Sequence, residues 1–257
     1  MQRIIAPTNK RLVWYLAMEE YLAQHVDDTD IFFTWVVAPT VIFGRHQVMT
    51  DEVNIPFCQA HGIQMYRRKS GGGCVYADQG NLMTSYITSN THSEKVFQQY
   101  LDMMATTLHS LGYEAVKTEH NDILVDGHKV SGNACYALST GTIVHGTMLY
   151  DVNFEMLQQA ITPSVEKLSK HGVQSVRQRV ANLKSLPCTA VPQPQLSLSN
   201  NDNPTTCPIQ TINDLADYCA ATLCNQTRQL TPVEISAIDN IEQTYLDPDF
   251  IAAPSIR

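Results

Sequence analysis

Long apolar runs are missing from this chain. Nowhere do about 18 consecutive apolar residues occur, so no membrane-spanning helix is expected. The opening stretch, MQRIIAPTNKRLVWYLAMEEYL, has no signal-peptide layout either. Positive charge is scarce: 17 lysines and arginines stand against 25 acidic residues, a net charge of −8. That balance excludes nucleic-acid binding by bulk electrostatics and leaves only local basic patches, with Arg67-Arg68-Lys69 the first candidate. Signals for cysteine pairing are also absent. The seven cysteines are odd in number, with no CxxC pair and no Cys/His cluster at zinc spacing. They argue for free thiols in a reducing compartment, and the cytoplasm is the expected location.

What remains is ordinary globular material, 44% hydrophobic and 16% charged. Its 257 residues suffice for one α/β-type domain or two small ones with a sizeable core. Residues 11–26 set Leu12, Tyr15, Leu16, Met18, Tyr21 and Leu22 near one face at helical spacing, which predicts a core-packing helix. IFFTWVV (31–37), VIFG (41–44), GIQMYRR (62–68), NLMTSYIT (81–88) and TIVHGTMLYDV (142–152) read as strands. A long helix is expected from Ser93, its candidate N-cap, to Leu111, stopped by Gly112. DILVDGHKVSG reads as a hairpin turning on Asp126-Gly127, and FEMLQQAI as a short helix.

Residues 187–208 form a Pro/Ser/Asn-rich stretch read as a flexible loop. Two helices follow within 209–257, the second opened by a capping box of Thr231 and Glu234 with Pro232 at its first position. No internal repeat is visible. The fold class is α+β: a central mixed or antiparallel sheet flanked by helices.

The stretch RRKSGGGCVYADQGNL (67–82) is the sharpest local feature. Three successive glycines weaken any regular element, because glycine loses the most backbone entropy on folding. The run continues into Val75-Tyr76 as strand, so it lacks the context of a dinucleotide fingerprint, and the P-loop spacing is also absent. Downstream, HNDILVDGHKVSGNA (120–134) carries one lysine in a hairpin, and VHGTMLYDV (144–152) follows.

With LAMEEYL, VIFGRHQ, EVN and SVRQRVANL (175–183), these pieces resemble the lipoate–protein ligase A family over roughly residues 12 to 183. Its relatives are biotin–protein ligases and octanoyltransferases. The resemblance implies a biotin/lipoate protein ligase-like catalytic domain at 1–186, with the later helices packing on the same domain. It also implies ATP-dependent activation of lipoate to lipoyl-AMP with Mg2+, then transfer to a lysine of an acceptor. The acceptors would be the acyltransferase subunit of a 2-oxoacid dehydrogenase or the glycine-cleavage H protein.

Carried over position by position, Arg68 would grip phosphate, and Ser70, Gly71, Gly72 and Gly73 would bring backbone N–H groups close to the ligand. Cys74, Val75 and Tyr76 would line the nucleotide and acyl site. Lys129 would be the catalytic residue, its ammonium between the acyl carbonyl and the α-phosphate. Its bland alternative is a solvated hairpin lysine. Asn121 and Asp122 would lie on the nucleotide side, with Asp122 a magnesium or ribose partner. His145 and Thr147 would line the pocket wall or serve strand pairing.

Three departures from the family pattern stand out. Ala77 replaces the usual histidine, His120 replaces a common arginine, and the small accessory C-terminal domain of many bacterial relatives is expected to be absent. A transferase would need a nucleophilic cysteine. Ser164 occupies one such position in AITPSVEKL, KTEHNDILVDG contains no cysteine, and Cys74 and Cys135 match neither nucleophile position. An octanoyl or lipoyl transferase therefore stays the alternative, as does an activation module that needs a partner subunit. Biotin ligation is disfavoured because no GRGRxxR-type loop is present.

Overall fold

The computed structural model describes residues 1–161, 180–189 and 209–254. Within these, an eight-stranded sheet forms the centre. Its strands are β1 (Gln2–Ile5), β2 (Ile31–Trp35), β6 (Asn81–Thr88), β7 (Ala115–Lys117), β8 (Asp122–Val125), β9 (His128–Ala137), β10 (Thr142–Leu149) and β11 (Gln226–Gln229). They run in the order β11-β1-β2-β6-β10-β9-β8-β7. The pairings of β1 with β11 and with β2 are parallel; the rest are antiparallel. A second sheet of three strands places β3 (Thr40–Phe43) between β4 (Gln64–Arg67) and β5 (Val75–Ala77). The mixed central sheet flanked by helices is the α+β arrangement expected from the sequence.

Helices cover both faces of the large sheet. On one side α4 (Ser93–Ser110) and α6 (Ile212–Leu223) bury Tyr100, Leu101, Met104, Leu108, Leu215 and Tyr218 against the strands. On the other lies α1 (Leu12–His25), with α7 (Pro232–Leu246) outside it contributing Ile238 and Tyr245 to the same core. This stacking makes α1 more buried than a one-faced helix: every residue from Leu12 to Glu19 is buried. The short helices α2 (Met49–Glu52), α3 (Ile55–Ala60), α5 (Phe154–Ala160) and α8 (Pro248–Ala252) complete the set. The small sheet packs with α3 and α5 around Val41, Phe43, Cys58 and Tyr76.

Local chemistry explains the boundaries. The β8–β9 hairpin turns with φ of 50° at Asp126 and 73° at Gly127, the double positive φ that an Asp-Gly pair tolerates. Gly112 ends the α4 region at φ 98°. Both late helices carry reciprocal capping boxes, Thr211 with Asp214 and Thr231 with Glu234. Ser93 is not the N-cap of α4. The chain enters through a turn in which Asn90 Oδ1 accepts from His92 N and Thr91 O accepts from Ser93 N, so His92 takes the cap position and Ser93 the first helical turn.

Three strands escaped the sequence reading, β1, β7 and β11. Each has only three or four residues, and QTRQ in particular offers no apolar alternation. The loop expected over 187–208 lies outside the described residues apart from Pro187–Thr189, and so do Ser164 and most of SVRQRVANL. The six described cysteines are free thiols. Among the described residues no helix is long and apolar enough to cross a membrane.

Candidate active site

Residues directly opposite one another across antiparallel strands point to the same face. One such row runs Trp35, Met83, Thr147, Gly132 across β2, β6, β10 and β9; the next runs Phe33, Ser85, His145, Ala134. With Leu12 and Leu16 of α1, Ile42 of β3 and the glycine loop, these rows enclose a cavity of about 300 Å3. Its walls are apolar at the Trp35 and Met83 end and polar at the Gly132 end. A larger cleft of about 690 Å3 lies beyond Leu12 and Trp35, under the segment Ala6–Arg11. Its arginines are already matched, Arg3 with Asp217 and Arg11 with Glu242, and it contains neither the glycine loop nor Lys129. The chemistry gathers in the smaller cavity.

Of the residues expected at the site, Arg68, Gly72, Gly73, Cys74, Val75, Asn121, Lys129, His145 and Thr147 line this cavity. Ser70, Gly71, Tyr76 and Asp122 do not. Tyr76 points the other way along β5 into the small-sheet core, where burial, then the Asp78 carboxylate, pushes its phenol up to about 12. The apolar lining residues Leu12, Leu16, Trp35 and Met83 were missed, since nothing separates a pocket wall from a core in a list of apolar positions.

A β-bulge aims Lys129. Ile123 pairs with Ser131 and Leu124 with Lys129, which leaves Val130 as the extra residue on β9. Val130 and Ser131 both turn to the α4 side. Val130 joins that core, and Ser131 Oγ donates to Asn133 Oδ1 (3.3 Å), beside the Tyr100 hydroxyl. Lys129 is thereby carried to the cavity side with Gly132. A Cβ on Gly132 would sit 3.0 Å from both Cε and Nζ of Lys129, so the missing side chain is the seat of the ammonium group. There Nζ meets Asp122 Oδ1 at 2.7 Å, with Lys129 33% and Asp122 28% exposed. At that exposure an ion pair contributes only about 0–1 kcal/mol, little enough for a ligand to displace.

The basic triplet before the glycines has a different role from the one its charge suggests. Arg67 is fully buried and donates to carbonyls on two sides: Arg45 (2.9 Å) and Gln47 (2.8 Å) after β3, and Phe250 (2.9 Å), Ile251 (3.2 Å) and Ala253 at the end of α8. Lys69 bonds Glu20 (2.7 Å) and lies over the Tyr245 ring. Arg68 was expected to grip phosphate, yet its hydrogen bonds go to the carbonyls of Gly71 (2.7 Å), Gly73 (2.7 Å) and Ile42 (3.2 Å). Burial lowers its pKa to about 10. The triplet is an internal scaffold for the loop, not a basic surface patch. Gly72 has φ 91°, and a Cβ there would stand 2.9 Å from Arg68 Nη2; one on Gly44 would meet Gly72 O at 2.3 Å.

A buried relay fixes the opposite wall. Glu19 accepts from His145 Nδ1 (2.9 Å) and from Ser85 Oγ (2.5 Å), which itself accepts from Trp35 Nε1 (2.8 Å). A carboxylate only accepts, so Nδ1 carries the proton, and in the neutral ring Nε2 accepts from Ser70 Oγ at 2.8 Å. Ser70 was expected at the ligand through its backbone and instead holds His145 with its side chain; Glu19 was read only as part of a helix, yet it falls at the apolar spacing Leu12, Tyr15, Glu19, Leu22. An acid at a core position was the available signal. Asn121 is tied to β9 by reciprocal bonds with Asn133, 3.0 and 2.9 Å.

No cluster of three or more His, Cys, Asp or Glu side chains able to hold a metal occurs among the described residues. A single aspartate suits magnesium that arrives with a nucleotide, because phosphates and water supply most of its octahedral shell. Asp122 fits that requirement. Cys135 is held in reserve from thiol chemistry, its pKa raised by burial to about 11.

The family model of the lipoyl protein ligase A/B catalytic domain matches residues 13–195. Lipoate-protein ligase LplJ of Bacillus subtilis is 38% identical over 65% of this chain and 51% of its own length. Lipoate–protein ligase 1 of Staphylococcus aureus is 37% identical over 66% and 52%. The chain thus spans about half the length of the curated relatives it matches. A solved structure described as a bi-partite lipoate protein ligase and its E2 lipoyl domain, from Thermoplasma acidophilum, superposes with a TM-score of 0.80 over 100% of this chain and 97% of that one, at 22% identity. A lipoate-protein ligase A bound with ATP gives 0.77 over 98% of both chains, also at 22%. At such identities these structures speak for the fold. The glycine loop on its arginine scaffold, the bulge-aimed lysine and the matched catalytic-domain model together establish that the chain belongs to the lipoyl protein ligase A/B catalytic domain family.

Proposed function

We propose that this chain activates the carboxylate of lipoate with magnesium ATP and passes the lipoyl group to a lysine of an acceptor protein. In the first half-reaction a carboxylate oxygen bonds the α-phosphorus and pyrophosphate departs. In the second, the acceptor ε-amine bonds the acyl carbon, gives up a proton, and AMP departs. The observation that supports this reading is Lys129, an ammonium seated over Gly132 at the polar end of an apolar cavity of about 300 Å3. That volume falls at the lower end of ordinary small-molecule sites. Lys129 would stabilise charge on both the acyl and phosphoryl oxygens without giving up its proton. Met83, Trp35 and Leu16 would hold the acyl chain, and Arg68 would set the loop conformation rather than touch phosphate. Magnesium, held in part by Asp122, would neutralise phosphate charge.

The acceptor would be a lipoyl domain, as the pairing of the Thermoplasma ligase with its E2 lipoyl domain suggests, or a glycine-cleavage H protein, and the compartment the cytoplasm. Incubation with ATP, magnesium, lipoate and a lipoyl domain tests the reading: pyrophosphate release and a lipoyl mass gain on the domain are expected. Absence of both, with folded protein, sinks it. A transferase reading is disfavoured by the Cys135 thiol, which stays protonated at neutral pH. A second reading follows from the description of the Thermoplasma protein as bi-partite: adenylate formation without transfer would point to a further polypeptide.

A further inference from the structure

The Asp122–Lys129 pair stands where the two substrates of such a ligase would meet. We propose that it makes their binding cooperative: Lys129 is withheld from a substrate carboxylate until Asp122 is taken by nucleotide-bound magnesium. The inference rests on the ligase reading and deepens it.

Lys129 Nζ has one recorded partner among the described residues, Asp122 Oδ1 at 2.7 Å. The main chains of both residues are pinned. Asp122 N donates to Thr118 Oγ1 (3.1 Å) and its carbonyl accepts from Thr118 N (2.9 Å), while the Lys129 carbonyl accepts from Ala181 N (3.1 Å). Only side chains can exchange partners. The seat over Gly132 keeps the ammonium beside the cavity during that exchange, so a rotation of the last bonds is enough to turn it inward.

Competition follows from this geometry. A substrate carboxylate and Asp122 seek the same ammonium; a divalent cation and Lys129 seek the same carboxylate. Each ligand removes the rival of the other, and linkage requires the effect to be equal in both directions. Lipoate or octanoate alone would have to displace Asp122 and leave its carboxylate, Oδ1 buried, without its cation. With magnesium and nucleotide in place, the lysine is already free.

Titration calorimetry with octanoate tests this, using the full chain and the non-reacting nucleotide AMPCPP. In the parent protein, magnesium plus AMPCPP should tighten octanoate binding about three- to fivefold, the most that release from an ion pair of this exposure can return. AMPCPP without metal should do much less. Octanamide, which offers no charge to Lys129, should bind equally in both conditions. In Asp122→Asn, octanoate alone should already bind near the parent's tightened affinity, with less than a twofold change on adding nucleotide. A structural role alone would not tighten that binding. Equal octanoate affinity with and without magnesium-AMPCPP in the parent overturns the proposal, and so does full coupling retained in Asp122→Asn. If neither octanoate nor magnesium-AMPCPP binds the folded parent, the ligase reading itself fails and takes the inference with it.

Discussion

At the residue scale the site divides into groups that act on a ligand and groups that hold them. Lys129 belongs to the first kind. Lys129→Ala should lower both adenylate formation and lipoyl transfer at least about a hundredfold, the scale for one preorganised donor, with an unchanged circular dichroism spectrum. Near-normal turnover would return Lys129 to the status of a hairpin lysine. Glu19 belongs to the second kind. In Glu19→Gln an amide NH2 replaces an acceptor that serves two donors, leaving one donor unmatched in a site only 2% exposed. The expected loss is about 1–3 kcal/mol of stability, read from urea unfolding. Cys135→Ser should leave transfer largely intact, since an adenylate route needs no thiolate; an acyl adduct trapped on Cys135 would overturn that route. Much of the acting group was legible in sequence because glycine triplets and a lone hairpin lysine are rare in combination. The holding group was not. Arg67, Arg68 and Lys69 read as a basic patch, and only the tertiary structure shows that Arg68 bonds carbonyls of its own loop while Arg67 and Lys69 reach carbonyls and a carboxylate far along the chain.

Elements were legible where their periodicity was long and their caps explicit. The α4 helix, the Asp-Gly hairpin and the capping box of α7 all carry local signals that tertiary packing leaves in force. The short strands β1 and β11 carry none, because a parallel strand of four residues is specified by its neighbours. The β9 bulge is the instructive case. Strict alternation groups Lys129 with Ser131 and Asn133, on the face that α4 covers; the extra residue Val130 reverses that assignment. No pattern in HKVSGN announces it. Gly132→Ala tests the arrangement the bulge creates. The new methyl would press on the flexible end of Lys129 and on no backbone atom, so the melting temperature should hardly move. Displacing the ammonium by even about 1 Å should nonetheless slow adenylation by tenfold or more, because catalysis depends on placement at that scale. Parent-like rates would show that the seat is not needed.

For the whole molecule, buried thiols and phenols set the response to alkali. Burial pushes Cys135 up to about 11 and Cys219 up to about 12, from an ordinary value of 9.0, and it raises Tyr86 and Tyr100 as well. Above pH 9 the unfolded chain therefore releases protons that the folded chain retains, and stability falls as pH rises. Thermal melts at pH 7.5, 9 and 10 should show a steady drop over the last interval; a flat profile would contradict the burial of these groups. Arg67 acts across the same whole. Among the described residues no carboxylate pairs with its cation, which is completed by carbonyls on either flank, the nearer set following β3 and the farther beginning at Phe250, 183 residues along the chain. On the ribosome this imposes an order of events. The arginine and its first carbonyls emerge early, and the second set comes only with the segment that forms α8. Until that segment docks, the guanidinium keeps its water and the loop beneath the glycine run goes unbraced. A newborn chain therefore holds most of its sheet before it holds a finished pocket.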